Sequence, residues 1–353
     1  MTETKCILIG LDGVVPSLLN KFCQEGILPN LTKLVNEGAS GEILAPYPTL
    51  TTSNWTSIVT GSWPGTHGIT DFNVHIPGEP LDKIYSGFDT NLCSSEYLWD
   101  AAERVDKKSI LMKYSASWPP TIKHGVQVDG CGPTPTNEVH EISTDNVFST
   151  EILPMSTYME MQKIPNSNPK TLETHITLTP KRYTMGSGVD TANPRKKLVD
   201  IAEKSLEYTI HITDSENNGF DKLLIYDSND LNNCLVELKK GEWSKLITEK
   251  FNIEGESLEG TFMFKLIELS PDGEIVTLFS THIMPTTGFT YPDDLGKKLI
   301  EKFGGFIQNP GFYPKIFDSI DDDTFLELME YQNKWFADST NYLMENNDWS
   351  LLF

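Results

Sequence analysis

The chain has few arginines, no long apolar run and no paired cysteines, and each shortage excludes a class of protein. Only three of its 28 basic residues are arginines, while 50 acidic residues bring the net charge of the 353-residue chain to -22. Nucleic-acid binding needs clustered Lys and Arg to neutralise phosphates, so we expect no nucleic-acid partner. No apolar stretch approaches the roughly 20 residues of a membrane-spanning helix, so we expect no membrane partner either.

The five cysteines are scattered and show no C-x-x-C spacing. This pattern indicates neither a zinc knuckle nor a disulfide framework. The N-terminal residues lead into an apolar strand without the pattern of a secretory signal. We therefore expect a cytoplasmic protein with reduced thiols.

The hydrophobic pattern of the sequence changes twice along the chain, which predicts three segments. Through residue 154, short apolar runs alternate with helices bounded by Pro and Gly, a pattern typical of a largely parallel sheet flanked by helices. From 155 to 290 the hydrophobic period becomes two, which predicts a β-rich inserted lobe. Residues 291–353 return to the α/β pattern and end on the apolar segment Trp349–Phe353. The predicted fold class is thus α/β with an inserted β-rich lobe.

Two residues stand where an α/β sheet binds its ligands. Asp12 follows the first apolar run, and ligands bind outside the carboxyl ends of parallel strands, so its carboxylate suits a divalent metal. Thr51 stands where a helix begins, so free backbone N–H groups there could stabilise an anion while a metal-activated hydroxyl attacks phosphorus. Local sequence leaves open that Asp12 forms an Asx turn and that Thr51 is only a helix cap.

Several motifs follow one another in fixed order over about 60 residues, and their combination is far more specific than any one alone. They are Leu11-Asp12-Gly13, Leu28–Leu31, Glu37–Ala39, Pro48–Thr51, Trp55–Ser57, Thr60-Gly61, Pro64–Ile69 and Asp71-Phe72. This series resembles the alkaline phosphatase superfamily, and within it the type I phosphodiesterase/nucleotide pyrophosphatase branch in its prokaryotic cytoplasmic form. A looser resemblance continues to Asp348-Trp349, so it covers nearly the whole chain.

The resemblance implies an alkaline-phosphatase-like sheet, two divalent metal ions (zinc first, manganese second) and a role for each matching residue. Asp12 would be a ligand of one metal, and Thr51 both the nucleophile and a ligand of that metal. Asn73 would hold the non-bridging phosphoryl oxygen; we prefer it to Asp71 because a second anion would repel the phosphoryl group. His67 would brace a turn rather than bind metal.

The remaining metal ligands of the family come from an Asp-x-x-x-His motif after a strand, an Asp-His-Gly motif and a distant His. The sequence contains no Asp-His-Gly, and it stops about where the Asp-x-x-x-His is expected. Two neighbouring metal ions need about six protein ligands, since each needs at least three. The chain thus resembles the N-terminal two-thirds of such an enzyme, and we expect it to carry at most a partial metal site.

The leading hypothesis is a metal-dependent hydrolase of a small phosphodiester or related ester, acting through a phospho-threonine intermediate and nearly inactive as this chain alone. One alternative is a non-catalytic binding protein that keeps the fold. Another is a phosphomutase or sulfatase of the same superfamily. Against a sulfatase, no Arg lies near Thr51, whereas that class uses a C/S-x-P-x-R motif.

Overall fold

The computed structural model describes residues 4–81, 83–131, 140–184, 197–200, 205–253 and 255–353. Its contacts divide the chain into two compact units. The first unit combines residues 1–131 with residues 348–353, so it is assembled from both ends of the chain. The second unit covers 132–347.

The first unit contains five α-helices, short strands and one 3₁₀ turn within its described residues. The helices are α1 (Pro16–Gln24), α2 (Pro29–Glu37), α3 (Thr51–Thr60), α4 (Pro64–His67) and α5 (Leu98–Glu103), with the 3₁₀ turn at Thr90–Leu92. The strands are β1 (Cys6–Ile7), β2 (Asn73–Val74), β3 (Tyr85–Ser86), β4 (Ser109–Met112), β5 (Val126–Val128) and the last strand of the chain, β21 (Leu351–Leu352).

A parallel sheet in the order β1-β21-β4-β5 forms the centre of this unit. All three pairings in this order are parallel, with Cys6 beside Leu351 and Leu352 beside Ile110. Strand β4 carries the buried Ile110 and Leu111, as a continuous apolar run predicts for a central parallel strand. Because the strands are parallel, their carboxyl ends meet at one edge of the sheet, where ligands bind in open α/β folds.

The second unit is rich in antiparallel strands and ends in three helices. Its strands are β6 (Asn146–Ser149), β7 (Ser156–Tyr158), β8 (Gln162–Lys163), β9 (Lys170–Leu178), β10 (Lys181–Thr184), β11 (Lys197–Asp200), β12 (Leu206–Asp214), β13 (Lys222–Asp227), β14 (Asp230–Leu238), β15 (Ile247–Ile253), β16 (Glu256–Phe262), β17 (Phe264–Leu269), β18 (Val276–Ser280), β19 (Met284–Pro285) and β20 (Thr290–Tyr291). Its helices are α6 (Leu295–Phe303), α7 (Phe312–Ile316) and α8 (Asp322–Asn346).

Alternation along the strands builds the core of the second unit. The larger sheets have the orders β14-β13-β12-β9-β8 and β17-β18-β6-β7, with β15-β16-β19 as a third. On β9, Leu172, Thr174, Ile176 and Leu178 are buried, while Glu173, His175 and Thr177 between them are half-buried or exposed, as a period of two requires. The buried Leu and Ile side chains join one apolar cluster with residues of β12, β13, β16, β17 and β18.

Helix α8 is capped at its N-terminus by Asp321, whose carboxylate accepts a hydrogen bond from the Thr324 N–H at 2.7 Å. An acidic cap of this kind satisfies a free N–H group and complements the helix dipole. Leu328, Trp335 and Leu343 are buried along one side of α8, at spacings close to two helical turns.

The α/β class and the largely parallel sheet are confirmed, and the period-2 segment does form a β-rich region. The predicted division at residues 154/155 and 290/291 stays a prediction about domains, whereas the compact units meet at 131/132 and 347/348. The β-rich region starts before residue 155, since β6 pairs antiparallel with β18 over Asn146–Ser149.

Glu327 on α8 neutralises the ammonium group of Lys265, whose side chain is only 3% exposed. Its Oε2 accepts hydrogen bonds from Lys265 Nζ and from Trp243 Nε1, each at 2.6 Å. Glu327→Ala would leave a buried cation without this carboxylate. We expect a loss of about 1–3 kcal/mol in the free energy of unfolding, below the full value for a buried pair because Glu327 is half-exposed.

Urea denaturation of the whole chain checks this expectation. Glu330→Ala is the matched control, because Glu330 is an exposed glutamate on the same helix. Equal unfolding free energies for the two variants would contradict the role assigned to Glu327.

Candidate active site

Thr51 is the first residue of α3. The helix cap is Leu50, in extended conformation, and the first helical hydrogen bond runs from Asn54 N–H to the Leu50 carbonyl at 2.9 Å. The N–H groups of Thr51, Thr52 and Ser53 therefore precede the first intrahelical donor. Thr51 is half-exposed while Thr52 and Ser53 are buried. The structure thus places Thr51 inside the helix rather than at the cap position.

Trp55 and Tyr114 fix α3 to the loop that follows β4. The Tyr114 hydroxyl donates a hydrogen bond to the Trp55 carbonyl at 2.9 Å, and the two rings meet edge to face at 4.9 Å. Tyr114 is almost fully buried, and burial raises the pKa of its hydroxyl well above the ordinary value. It therefore stays a neutral donor, and the start of α3 is held by a permanent contact.

The chain leaving β1 also contacts Trp55. A Cβ atom at Gly10 would lie 2.1 Å from Cη2 of Trp55, so the glycine backbone lies directly against the indole ring. Trp55 lies one helical turn after Thr51 and on the same face of α3. The close approach at Gly10 thus packs the chain two residues before Asp12 against a side chain that lies one helical turn after Thr51.

Asp12 lies in the turn after β1 and its side chain is exposed. The cap of α1 is Val15, without any side-chain hydrogen bond, so Asp12 does not cap that helix. Across the described part of the chain, Asp12 makes no hydrogen bond or ion pair either, which leaves the Asx-turn interpretation without support. Its carboxylate is available to a ligand, and its role as a metal ligand stays a prediction.

His67 joins the turn after α4 to α3. Its Nδ1 accepts a hydrogen bond from the Ile69 N–H at 3.1 Å, and its Nε2 lies 3.0 Å from the Ser57 hydroxyl. The ring is fully buried, and burial lowers the pKa of His67 below 6.5, against the opposing effect of a backbone hydrogen bond with Ser53. With Nδ1 accepting, the neutral ring carries its proton on Nε2. Both nitrogens are thus engaged in bracing the turn.

Asn73 opens strand β2, exposed, opposite Ser86 of β3. Asp71 is exposed as well, and its Oδ1 accepts the N–H of Phe72 at 2.6 Å. Asp71 and His75 have an Asp-x-x-x-His spacing, but the His75 ring interacts with the Glu79 carbonyl at 3.0 Å, and the segment does not follow a strand of the parallel sheet. The predicted role of Asn73 remains a prediction.

The sequence analysis assigns no role to two charged residues that lie at the carboxyl edge of the sheet. Lys113 directly follows β4 and Asp129 directly follows β5, and both have a backbone φ of 53°. Lys113 Nζ lies 3.5 Å from Oδ2 of the fully buried Asp129. Non-glycine residues in this left-handed region cost free energy and cluster at functional sites. The signal that could have found them is the one used for Asp12, namely a charged residue at the end of a core strand.

A buried amide locks the loops after β4 and β5 together. The Gln127 Nε2 group donates to the carbonyls of Ser117 and Asp129 at 2.7 and 2.9 Å. The Ser117 hydroxyl in turn donates to the Tyr114 carbonyl at 2.6 Å. These bonds hold the left-handed residues in place and connect them, through Tyr114, to α3. Lys113 therefore belongs to a rigid edge rather than to a mobile loop.

Asp12 and Thr51 offer donor atoms of the kind that a divalent-metal site uses. Asp12 offers carboxylate oxygens and Thr51 a hydroxyl oxygen, both suited to hard or borderline divalent ions. Asp129 is less suitable because its Oδ2 faces Lys113. Two ligands are fewer than the three protein ligands that a catalytic zinc site keeps. The residues thus agree with a metal in kind and fall short in number.

Comparison with known proteins identifies the family of the chain. The family described as type I phosphodiesterase/nucleotide pyrophosphatase matches residues 6–183, half of the chain, so the chain belongs to that family. This is a family of phosphoester hydrolases that generally use divalent metals. It lies within the alkaline phosphatase superfamily, with which the α/β fold is consistent.

Two curated relatives share this similarity at low identity. A mouse protein, ectonucleotide pyrophosphatase/phosphodiesterase family member 1, is 28% identical over 160 residues, which is 44% of this chain and 16% of the relative. The Caenorhabditis elegans ectonucleotide pyrophosphatase/phosphodiesterase C27A7.1 is 29% identical over 110 residues, 30% of this chain and 13% of the relative. The matches thus span less than a fifth of either relative. No solved structure gives a significant match.

Gly10→Ala tests the contact that positions the β1 loop. The new methyl group would overlap the Trp55 ring, so one of the two segments must move. We expect a loss of about 1–3 kcal/mol in unfolding free energy, as for other overpacked sites. Urea denaturation gives the value. Gly41→Ala is the control, because a Cβ there meets nothing within 4 Å. Equal stability of both variants would contradict the proposed packing.

His67→Gln tests the neutral, buried imidazole. Below a pH of about 6.5 the unfolded chain binds a proton at His67 that the folded chain excludes, so folding stability falls as pH falls. Glutamine does not titrate. Between pH 7.5 and pH 5.5 the wild type should therefore lose more unfolding free energy than the variant. Denaturation curves at several pH values measure this, and parallel losses in both proteins would refute it.

Proposed function

We propose that the carboxyl edge of the parallel sheet is a phosphoester-cleaving site, with Thr51 as nucleophile, Asp12 as a metal ligand and a small phosphodiester as substrate. The observation that carries the proposal is the position of Thr51 at the start of α3, opposite the segment that Gly10 packs against Trp55. Family membership supports the reaction class.

The start of α3 suits a phosphoryl group for electrostatic reasons. The first N–H groups of a helix and its dipole favour an anion at that end. An attacking oxygen on Thr51 would place phosphorus beside those N–H groups, which then stabilise the charge that develops on the non-bridging oxygens. In a chain of net charge -22 these backbone donors attract phosphate without a cluster of basic side chains.

The proposed bond changes are those of an in-line displacement. A bond forms between Thr51 Oγ and phosphorus while the bond from phosphorus to the leaving oxygen breaks, and the leaving group departs with that electron pair. The hydroxyl proton of Thr51 passes to solvent. A divalent ion held by Asp12 and Thr51 would supply Lewis-acid stabilisation of the charged oxygens when bound. Asn73 is the proposed donor to a non-bridging oxygen.

The number of protein ligands for the metal also determines which steps of the reaction we expect this chain to complete. Asp12 and Thr51 are two ligands where an ion needs at least three from the protein. Zinc remains our first candidate and manganese the second, both bound weakly. We therefore expect the chain to form the threonine ester slowly and to release it hardly at all. A binding protein that retains the fold is the alternative, and it would form no ester.

The test uses bis(p-nitrophenyl) phosphate with excess zinc or manganese. Release of p-nitrophenolate should stay at or below about one equivalent per chain, with a matching mass increase on the peptide that contains Thr51. Thr51→Ala should abolish the adduct, and Asp12→Asn should reduce it at least about tenfold. Thr66→Ala, which removes an exposed hydroxyl elsewhere, should behave as the wild type.

Three other outcomes of this assay would change the proposal or support part of it. Release that survives Thr51→Ala would refute the nucleophile, and no adduct at any metal concentration would favour the binding-protein alternative. Many turnovers that disappear in Thr51→Ala would support the nucleophile and show that our ligand count is wrong.

We also propose a cytoplasmic location. All five cysteines are free in the structure, which agrees with a reducing compartment. The names of both relatives carry the prefix "ecto", which points the other way for those proteins. Among the described helices, none has the length and apolarity to cross a membrane.

A further inference from the structure

The five-stranded sheet of the second unit carries a group of ionisable side chains on its polar face. Glu173 and His175 are two residues apart on β9, on the face opposite the buried Leu172 and Ile176. His211 of β12 lies directly across from Glu173 in the antiparallel register. We call Glu173, His175 and His211 the His–Glu–His cluster. None of them belongs to the proposed phosphoester site.

The carboxylate of Glu173 lies between the two imidazole rings. Its Oε2 is 2.8 Å from His211 Nε2, and its Oε1 is 3.8 Å from His175 Nε2. Two donors bound to one zinc ion at about 2.0–2.1 Å, at a tetrahedral angle, lie about 3.3–3.4 Å apart. The two measured separations fall on either side of this value. Small side-chain movements would thus bring each pair to ligand spacing.

Neighbouring side chains contact the imidazole rings of His175 and His211, as hydrogen-bond partners of metal-binding histidines commonly do. The Thr209 hydroxyl lies 3.1 Å from His175 Nδ1 and 3.1 Å from the Ser228 hydroxyl, which leaves His175 Nε2 directed toward Glu173. His211 packs against the Tyr226 ring at 5.1 Å between centroids. A partner on the second ring nitrogen fixes the tautomer that a metal-binding histidine needs.

We propose that the His–Glu–His cluster binds a divalent transition-metal ion, with zinc as the best-matched ion. Two imidazoles and one carboxylate form a common zinc ligand set, with water in the fourth position. As the side chains stand, the three donor atoms do not all lie within 4.8 Å of one another. Binding therefore requires the His175 side chain, which is 66% exposed, to shift from its present position beside the Thr209 hydroxyl. His211 and Glu173 are mostly buried and supply the fixed part of the site.

A cross-strand His–Glu ion pair without metal affinity is the competing interpretation, and zinc titration separates the two. The whole chain in an Asp12→Asn background, which disables the proposed phosphoester metal site, is titrated against a chromophoric zinc chelator. We expect His175→Ala and His211→Ala each to lose one zinc equivalent or to weaken its binding at least about tenfold. His124→Ala removes an exposed imidazole outside the cluster and should leave the titration unchanged.

Thermal unfolding without and with zinc completes the test. Zinc should raise the unfolding midpoint of the parent protein and of His124→Ala, and raise it less in His175→Ala. If His211→Ala fails to fold, His175→Ala still tests zinc binding, because the His175 side chain is largely exposed and its removal should not prevent folding. Identical zinc titrations of the parent and His175→Ala would overturn the proposal. Failure here leaves the proposed function intact, since the two sites share no residue.

Discussion

The contact of Gly10 with the Trp55 ring is the constraint on which the candidate site depends. It sets the path of the chain between β1 and α1, and the same indole lies edge to face against Tyr114 after β4. One aromatic side chain therefore holds two loops at the carboxyl edge of the sheet against one helix. A smaller residue at position 55 would leave the three segments without a common contact. A larger one at position 10 would not fit.

The negative net charge of the chain works against the binding of an anion at this edge of the sheet. The chain carries 22 more negative than positive charges, so its overall field opposes an anionic substrate. The local donors must overcome that field at short range. On our proposal they are the first N–H groups of α3, since the ammonium group of Lys113 is already paired with Asp129 at 3.5 Å. A divalent cation would shift the local balance further, which fits a family that generally uses such ions.

Elements with strong local signals could be predicted from the sequence. Pro16, Pro29 and Gly61 mark helix ends that the structure reproduces, and the apolar run at Ser109–Met112 is strand β4. Strands β14 and β15 lie within the predicted β-rich segment, but the sequence pattern does not give their bounds. On β14 most residues are exposed, so its sequence lacks the regular alternation on which such a prediction depends.

Local sequence patterns predict the residues of the candidate site to the same limited extent. Thr51 and Asp12 were predicted from linked motifs and from their positions at a helix start and a strand end. Lys113 and Asp129 each follow a core strand, which is a local signal, but their left-handed backbone and their shared ion pair arise from long-range geometry. Glu173 and His211 are 38 residues apart, and only the register of β9 with β12 places them opposite each other. No local sequence pattern predicts that these two side chains lie in contact.

The most direct measurement is a crystal structure of the chain soaked in manganese, with anomalous diffraction to locate the ion. The account predicts a peak at the carboxyl edge of the parallel sheet, about 2.0–2.2 Å from an Asp12 carboxylate oxygen and from the Thr51 hydroxyl. A separation between that carboxylate and that hydroxyl well beyond about 6 Å, with no ion between them, would contradict it, because the two residues could then not share one metal.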